Sequence, residues 1–337
     1  MTLVSACAYR ASPPFPTDTP MPYPRPHAIF NYEKTKIWAE IKPSPAYATE
    51  SHETFNVFFT FNAPVIDTKH ETMRGQYLRL KKPGSHGIII VAGVPNNITF
   101  PQNSIRETFT EWIWPEEYGF RNFHLLILDT GAWPLEPARF KNARAEKIFN
   151  EYDNLKEYLR TIVIAIRRSI DWAETRPEID PARIGITGAS TGGIFAALAM
   201  GADSRIASGL FMMTGGNIGR ILTESTEKDA RVIRNETMRK LGWTKEELGH
   251  NLAIFFYDVE PLVWASRIPP RPTEVFIAEF DEYIPPSSGW ELWQNLKSSH
   301  PPLIFYASHK AAFVGMTIIG GYRMNYEIYR FFSKTLK

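Results

Sequence analysis

Cysteine is almost missing from this chain: among 337 residues, Cys7 stands alone. A single thiol excludes an internal disulfide framework and any multi-cysteine zinc site. Long apolar runs are missing too, since no stretch reaches the roughly eighteen residues that a membrane-spanning helix needs. Charge of one sign is not in excess, with 38 Lys and Arg against 36 Asp and Glu and a formal net of +2. The basic residues are scattered rather than blocked together, so nothing electrostatic points to a nucleic-acid partner.

What is present is an ordinary globular balance, 44% hydrophobic and 22% charged, which excludes wholesale disorder or a fibrous class. The length suits one large α/β domain with an insertion, or two ordinary domains. No internal repeat of fixed period is found. Proline crowds the head, where RASPPFPTDTPMPYPRPH (10–27) reads as a stiff, extended tether. Residues 1–34 are therefore assigned to an N-terminal tail and 35–337 to the folded domain. Just ahead of the prolines, Val4-Ser5-Ala6-Cys7 resembles the lipobox at which bacterial lipoprotein signals are cleaved and the cysteine acylated. Only six residues precede Cys7, without a basic n-region or a full apolar h-region. Two readings stay open: a periplasmic or membrane-anchored lipoprotein if translation starts upstream of Met1, and otherwise a cytoplasmic protein with a plain tail.

Past the head, 36–42 (KIWAEIK), 54–61 (TFNVFFTF) and 75–81 (GQYLRLK) read as strands by alternation and by β-branched and aromatic content. They suggest an antiparallel start to a sheet. GIIIVAG (87–93) and HLLILDT (124–130) are short, continuous apolar runs of the kind buried on both faces. A helical pattern then runs over 143–175 and stops at Arg176-Pro177. RIGITGA (183–189), GLFMMTGG (209–216), VFIAEF (275–280) and LIFYAS (303–308) read as further strands, and NYEIYRFFSKTL as a closing helix. Strands alternating with helices predict a mostly parallel central sheet of about eight strands, covered on both faces. Nearly sixty residues separate GLFMMTGG from VFIAEF. That interval, about 217–270, predicts a helical cap whose Trp243, Phe255, Phe256, Tyr257, Leu262 and Trp264 cover the carboxyl edge of the sheet. The alternative is that they only pack the crossover helix on the sheet.

The stretch RIGITGASTGGIF (183–195) places Ser190 in a G-x-S-x-G pattern between a strand and a helix. A sharp strand-to-helix turn needs small residues two before and two after the serine, and Gly188 and Gly192 meet that need. The following helix directs N–H groups and a partial positive charge at the site. The competing reading is a serine that merely caps that helix. A serine nucleophile needs a base, and the base needs a carboxylate. VFIAEFDEYIP ends a strand at Asp281, and LIFYASHKAAF ends the next at His309. Glu279 and Glu282 are rival acids, although alternation aims Glu282 away from the site; His250 and His300 are rival bases.

The order Ser190, Asp281, His309, carried by RPEIDPARIGITGASTGG, AEFDEYIP and ASHKAAF, resembles an α/β-hydrolase of the serine esterase and peptidase-like branch over about residues 50–337. Two details depart from that pattern: Ala278 stands where glycine is more usual, and Ala189 where a histidine often precedes the serine. The resemblance implies an α/β-hydrolase fold with a cap insertion and an oxyanion hole. One hole donor would be the N–H of Thr191, the other that of Gly93 or Val94 in the loop AGVPNN, with Val94 preferred. It also implies hydrolysis of a small-molecule carboxylic ester, with no metal or organic cofactor. A serine exopeptidase and a non-catalytic hydrolase-fold lipoprotein attached through Cys7 are the alternatives. Trp112, Trp114 and Trp133 are candidates to line an apolar site, or equally to pack the core.

Overall fold

A computed structural model describes residues 8–10, 29–34, 37–45, 48, 51–62, 70–93, 122–312 and 322–337. Cys7, Val94, Trp112 and Trp114 lie outside the described residues. The strands in chain order are β1 (Ala8–Arg10), β2 (Trp38–Pro43), β3 (His52–Asn62), β4 (His70–Leu80), β5 (His86–Ala92), β6 (Phe123–Asp129), β7 (Ile179–Ala189), β8 (Ile206–Met212), β9 (Thr273–Ala278) and β10 (Leu303–Phe305). They form one sheet in the order β1-β10-β9-β8-β7-β5-β6-β4-β3-β2. β2, β3 and β4 make the expected antiparallel start, and β4 pairs antiparallel with β6. The neighbours β6, β5, β7, β8, β9 and β10 run parallel.

The sheet thus has ten strands instead of about eight. One of the additions, β1, comes from the residues assigned to the tail: Ala8–Arg10 pairs antiparallel with β10. Arg10 fixes that edge by donating to Glu274 Oε1 (2.6 Å) and to the Pro301 carbonyl (2.6 Å). At the other end of the same head, Phe30 is buried, with its ring 4.8 Å from that of Trp264.

The buried runs behave as period-2 strands packed on both sides. In β5, Ile88, Ile90 and Ala92 face one core cluster, and Ile89 and Val91 the other. The first cluster is closed by α2 (Ile148–Ala173) and α3 (Thr191–Ala202), reached after the short α1 (Pro137–Asn142). α3 lies between sheet and helices and is apolar nearly all round, as a doubly covered helix must be.

The interval between β8 and β9 holds α4 (Ile218–Glu224), α5 (Lys228–Leu241), α6 (Lys245–Phe255) and α7 (Pro261–Ala265). Four of its aromatic side chains meet the helices that cover the sheet. Trp243 lies edge-on to Phe149 of α2 at 5.8 Å, Phe255 lies tilted to the same ring at 5.2 Å, and Phe256 meets Tyr152 at 6.2 Å. Trp264 backs onto Gly201 of α3. The physical reason is that α2 presents a broad apolar stripe along 26 residues, more than the sheet alone covers. Beyond β9, α8 (Pro286–Leu296) joins the first cluster, while α9 (Tyr322–Thr335) closes the second with Met324, Ile328 and Phe332.

The chain leaves β5 towards β6 on one side and later enters β7 on the other. This reversal of strand order makes the carboxyl ends of β5 and β7 a topological switch point, the place where ligands bind in open α/β sheets.

Candidate active site

Ser190 follows the last residue of β7, directly at that switch point. Its backbone is at φ 55°, ψ −127°, a conformation that a residue with a Cβ rarely adopts, costing about 1–3 kcal/mol. Two glycines make the turn possible. A Cβ on Gly188 would lie 2.3 Å from the Gly192 carbonyl oxygen, and one on Gly192 would lie 2.3 Å from that of Ala92. The turn is held from outside as well, because the Ser190 N–H donates to the Met212 carbonyl at the end of β8 (2.9 Å). The Ser190 side chain makes no capping hydrogen bond to α3, although it stands at the cap position. The helix-cap reading therefore fails at the one contact that defines it.

Thr191 is the first residue of α3, and first-turn N–H groups have no acceptor within their own helix. Gly193 and Ile194 turn theirs back to the Ser190 carbonyl (3.0 and 3.3 Å). On the β5 side, the Gly93 N–H donates to the Leu128 carbonyl (3.1 Å). The Gly93 N–H is thus engaged within the sheet, and Val94 lies outside the described residues.

Asp281 and His309 are brought together. His309 Nδ1 lies 2.6 Å from Asp281 Oδ2, with side chains 5% and 3% exposed. The other oxygen, Asp281 Oδ1, accepts from the N–H groups of Tyr283 (2.9 Å) and Ile284 (2.8 Å), fixing the carboxylate as the head of a tight turn. Strand-like hydrogen bonding carries both residues beyond their strands, from Glu279 N–H to Phe305 O (2.9 Å) and from Phe280 N–H to Ala307 O (3.1 Å). The Tyr283 ring lies 4.9 Å from the His309 ring, and Lys310 sits over Tyr283 at 5.7 Å. A hydrogen bond to Tyr283 raises the Lys310 ammonium above its ordinary range. Of the rival bases, His250 is exposed on α6, and His300 is exposed ahead of β10. Trp133 packs edge-on to Tyr158 at 6.1 Å, in keeping with core packing.

Alternation predicts that Glu282 points away from the site, and it does not. Its Oε2 accepts the main-chain N–H of His309 (3.0 Å). Strand alternation ends at Ala278, and residues 281–284 follow the Asp281 turn instead, which swings Glu282 to the same side as its neighbour. The sequence signal that could have revealed this is Asp281 itself, since an Asp ahead of Tyr-Ile-Pro favours a turn over continued strand.

A second buried carboxylate lies at the base of the insertion. Glu260 Oε1 accepts from Asn217 N–H (2.6 Å) and Leu262 N–H (3.1 Å), and Oε2 from Ile218 N–H (2.8 Å). It ties the segment leaving β8 to the start of α7. Burial pushes its carboxyl up to about 7, although those three N–H groups pull the other way and Glu291 adds to the rise. Among the described residues, no cluster of histidine, cysteine and carboxylates is arranged to hold a metal ion.

Comparison with protein-family models and with curated proteins finds no match. Solved structures do match. The fold is similar to that of an acetyl xylan esterase from Paenibacillus sp. R4, with a TM-score of 0.64, 18% identity and 92% of each chain covered. Acetyl xylan esterase 1 from Thermoanaerobacterium sp. JW/SL YS485 gives a TM-score of 0.60 at 14% identity, again over 92% of each chain. An acylaminoacyl peptidase from Pyrococcus horikoshii gives 0.56 at 16% identity, covering 86% of this chain and 42% of that one. Sheet order, crossover helices and these likenesses agree: the chain has the α/β-hydrolase fold.

Proposed function

We propose that this α/β-hydrolase-fold protein is a serine hydrolase that cleaves carboxylic esters through a covalent acyl-enzyme, with Ser190 as nucleophile, His309 as base and Asp281 as its partner. The observation that carries the reading is Ser190 itself: a non-glycine residue in a strained turn, not capping its helix, on the same sheet edge as a buried Asp–His pair. In this reading the Asp281 carboxylate accepts a hydrogen bond from His309 Nδ1–H and so holds the tautomer in which Nε2 is the basic nitrogen. Ser190 Oγ attacks the ester carbonyl carbon as His309 Nε2 accepts the hydroxyl proton. The carbonyl oxygen becomes an oxyanion facing the Thr191 N–H and, from the β5 loop, that of Val94. Collapse breaks the carbon–oxygen bond to the alcohol, which leaves with the proton from His309. Water then repeats the sequence on the acyl-serine and releases the acid.

Support for esters comes from the two full-length structural likenesses, both named acetyl xylan esterases. A small acyl group on a larger alcohol is the substrate class we adopt. The likeness to an acylaminoacyl peptidase favours a second reading, an exopeptidase with the same residues, though it spans less than half of that chain.

The test is a fluorophosphonate probe together with a panel of p-nitrophenyl esters and aminoacyl anilides. We expect covalent labelling of the wild type, its loss in Ser190→Ala, and turnover of short-chain esters far above anilides. Labelling that survives the substitution would remove Ser190 from the mechanism, and preferred anilide cleavage would select the peptidase.

A further inference from the structure

Three consecutive residues, Asp281, Glu282 and Tyr283, each touch a different part of His309. Asp281 holds ring Nδ1 at 2.6 Å, Glu282 Oε2 holds the main-chain N–H at 3.0 Å, and the Tyr283 ring lies 4.9 Å from the imidazole at an interplanar angle of 36°. The main-chain contact has a particular place in the fold. β10 is only three residues long, and the chain bends through 306–308 before a helical turn begins at His309. That turn is capped by Ser308, whose Oγ accepts the Ala311 N–H (3.2 Å) and whose carbonyl accepts the Ala312 N–H (2.8 Å). The His309 N–H lies at its positive end, where a carboxylate acceptor is favoured. The strand-like bonding to β9 reaches only as far as the Phe280–Ala307 bond, and the Glu282 bond anchors the His309 backbone beyond that point.

The same residue also reaches the insertion. The Glu282 carbonyl accepts from Ser225 Oγ (3.0 Å), Thr226 N–H (3.0 Å) and Glu227 N–H (3.0 Å). Glu227 is the residue that caps α5, its side chain accepting from the N–H groups of Asp229 and Ala230. One residue thus joins the His309 backbone, through its side chain, to the α4–α5 turn, through its main chain.

We propose that Glu282 is a positioning residue: its carboxylate sets the main chain of His309 while Asp281 sets the ring, and its carbonyl locks that arrangement to the Ser225–Glu227 turn of the insertion. The proposal deepens the serine-hydrolase reading and rests on it for its kinetic consequence. What matters is an acceptor at the right reach, and both the length and the oxygen of the side chain are needed. Gln keeps the oxygen and the length, Asp keeps the charge and withdraws the oxygen by one methylene, and Ala removes both.

The experiment compares Glu282→Gln, Glu282→Asp and Glu282→Ala in the full chain. Displacing a catalytic base by about 1 Å costs on the order of 100-fold in rate. We expect kcat for p-nitrophenyl acetate to fall about 10- to 100-fold in the Ala and Asp variants with KM nearly unchanged, and to stay within about threefold of wild type in Gln. Fluorophosphonate labelling should slow in parallel. Wild-type kcat in both Ala and Asp, or a Gln variant as impaired as Ala, would overturn the proposal. A readout independent of turnover is the downfield imidazole proton of the His309–Asp281 hydrogen bond in proton NMR. It should be preserved in Gln and shifted or broadened in Asp and Ala. If the wild type hydrolyses no ester and takes no probe, the serine-hydrolase reading fails, while this resonance still decides whether Glu282 sets His309. Should the Ala variant fail to fold, the Gln and Asp pair carries the same comparison.

Discussion

The two edges of the central sheet use histidine and carboxylate in opposite ways. At the amino edge, His124 is fully buried and its ring is engaged by main-chain groups: Nδ1 accepts the Leu80 N–H (2.9 Å), and Nε2 donates to the Glu178 carbonyl (2.8 Å). Burial pushes it down to about 4, and the Glu178 contacts only partly offset that. His52, also buried, is lowered for the same reason. The carboxylates of that edge are consumed by arginine. Arg205 donates to both oxygens of Asp203 (2.9 and 2.7 Å), to Asp171 (2.7 Å) and to Glu174 (2.8 Å). At the carboxyl edge the pairing is rearranged: His309 faces a carboxylate, and Asp281 faces a histidine and two N–H groups instead of a guanidinium. A histidine bonded to main chain is locked neutral and holds strands together. One bonded to a carboxylate can accept charge and share it. Residue type therefore says little about role here, and the partner says most.

The largest test of that contrast is Asp281→Asn. Asn retains an oxygen for Tyr283 and Ile284, so the turn should survive while the histidine partner loses its charge. Ester kcat is expected to fall about 10,000-fold with little change in the thermal midpoint; a variant of near wild-type rate would deny Asp281 its role. At the opposite edge, Arg205→Ala should do the reverse. Asp203 keeps Arg167 (3.2 Å) and Asp171 keeps Arg168 (2.8 Å), so each buried carboxylate loses one partner and not all. The expected cost is about 2–3 kcal/mol in urea titration with ester kcat unaltered. Loss of activity without loss of stability would erase the distinction between the edges.

A subtler contrast lies in pH. Glu260 is raised from an ordinary 4.5 to about 7, so between those values the native state holds a proton that the unfolded chain has released. Its contribution to stability is lost as pH rises through that window, by up to about 3 kcal/mol. His124 is lowered from 6.5 to about 4, so there the unfolded chain binds the extra proton, and stability is lost as pH falls through that window. The two opposed slopes overlap and largely cancel in the wild type. Glu260→Gln should expose the histidine slope: relative to wild type it should be less stable at pH 5 than at pH 7.5, by up to about 3 kcal/mol. A difference that is flat across pH in urea titrations would show that Glu260 does not titrate in this range.

Much of the carboxyl edge is legible in the sequence, because strained turns leave compositional marks. Gly188 and Gly192 flank Ser190 since no other residue fits, and buried parallel strands such as GIIIVAG cannot hide their apolar runs. The Asp281 and His309 positions come from counting strand ends. The features that are not legible are set by partners distant in sequence. β1 is a three-residue strand with no periodicity to detect, and it exists because β10 offers an edge. The aromatics of the insertion do not carry a label for which surface they meet, and α2 claims them. Extending strand alternation past Ala278 misplaces Glu282, because the Asp281 side chain replaces the ladder there with a turn. His124 and Arg205 lie 54 and 34 residues from key partners, Glu178 and Asp171, with no local pattern to announce either contact.

The strain at Ser190 belongs to its backbone and owes nothing to its hydroxyl. The Met212 carbonyl, the Gly188–Gly192 contact and the start of α3 all hold the turn without the side chain. A chain carrying Ser190→Ala should therefore keep the shape of the site with its donors in place, and simply be unable to begin the reaction. Under the proposed function, such a protein would be an intact receptor for an uncleaved ester. Offered a mixture of natural acylated compounds, it would retain the one that fits, and so turn the most disabling substitution into the most direct route to the substrate.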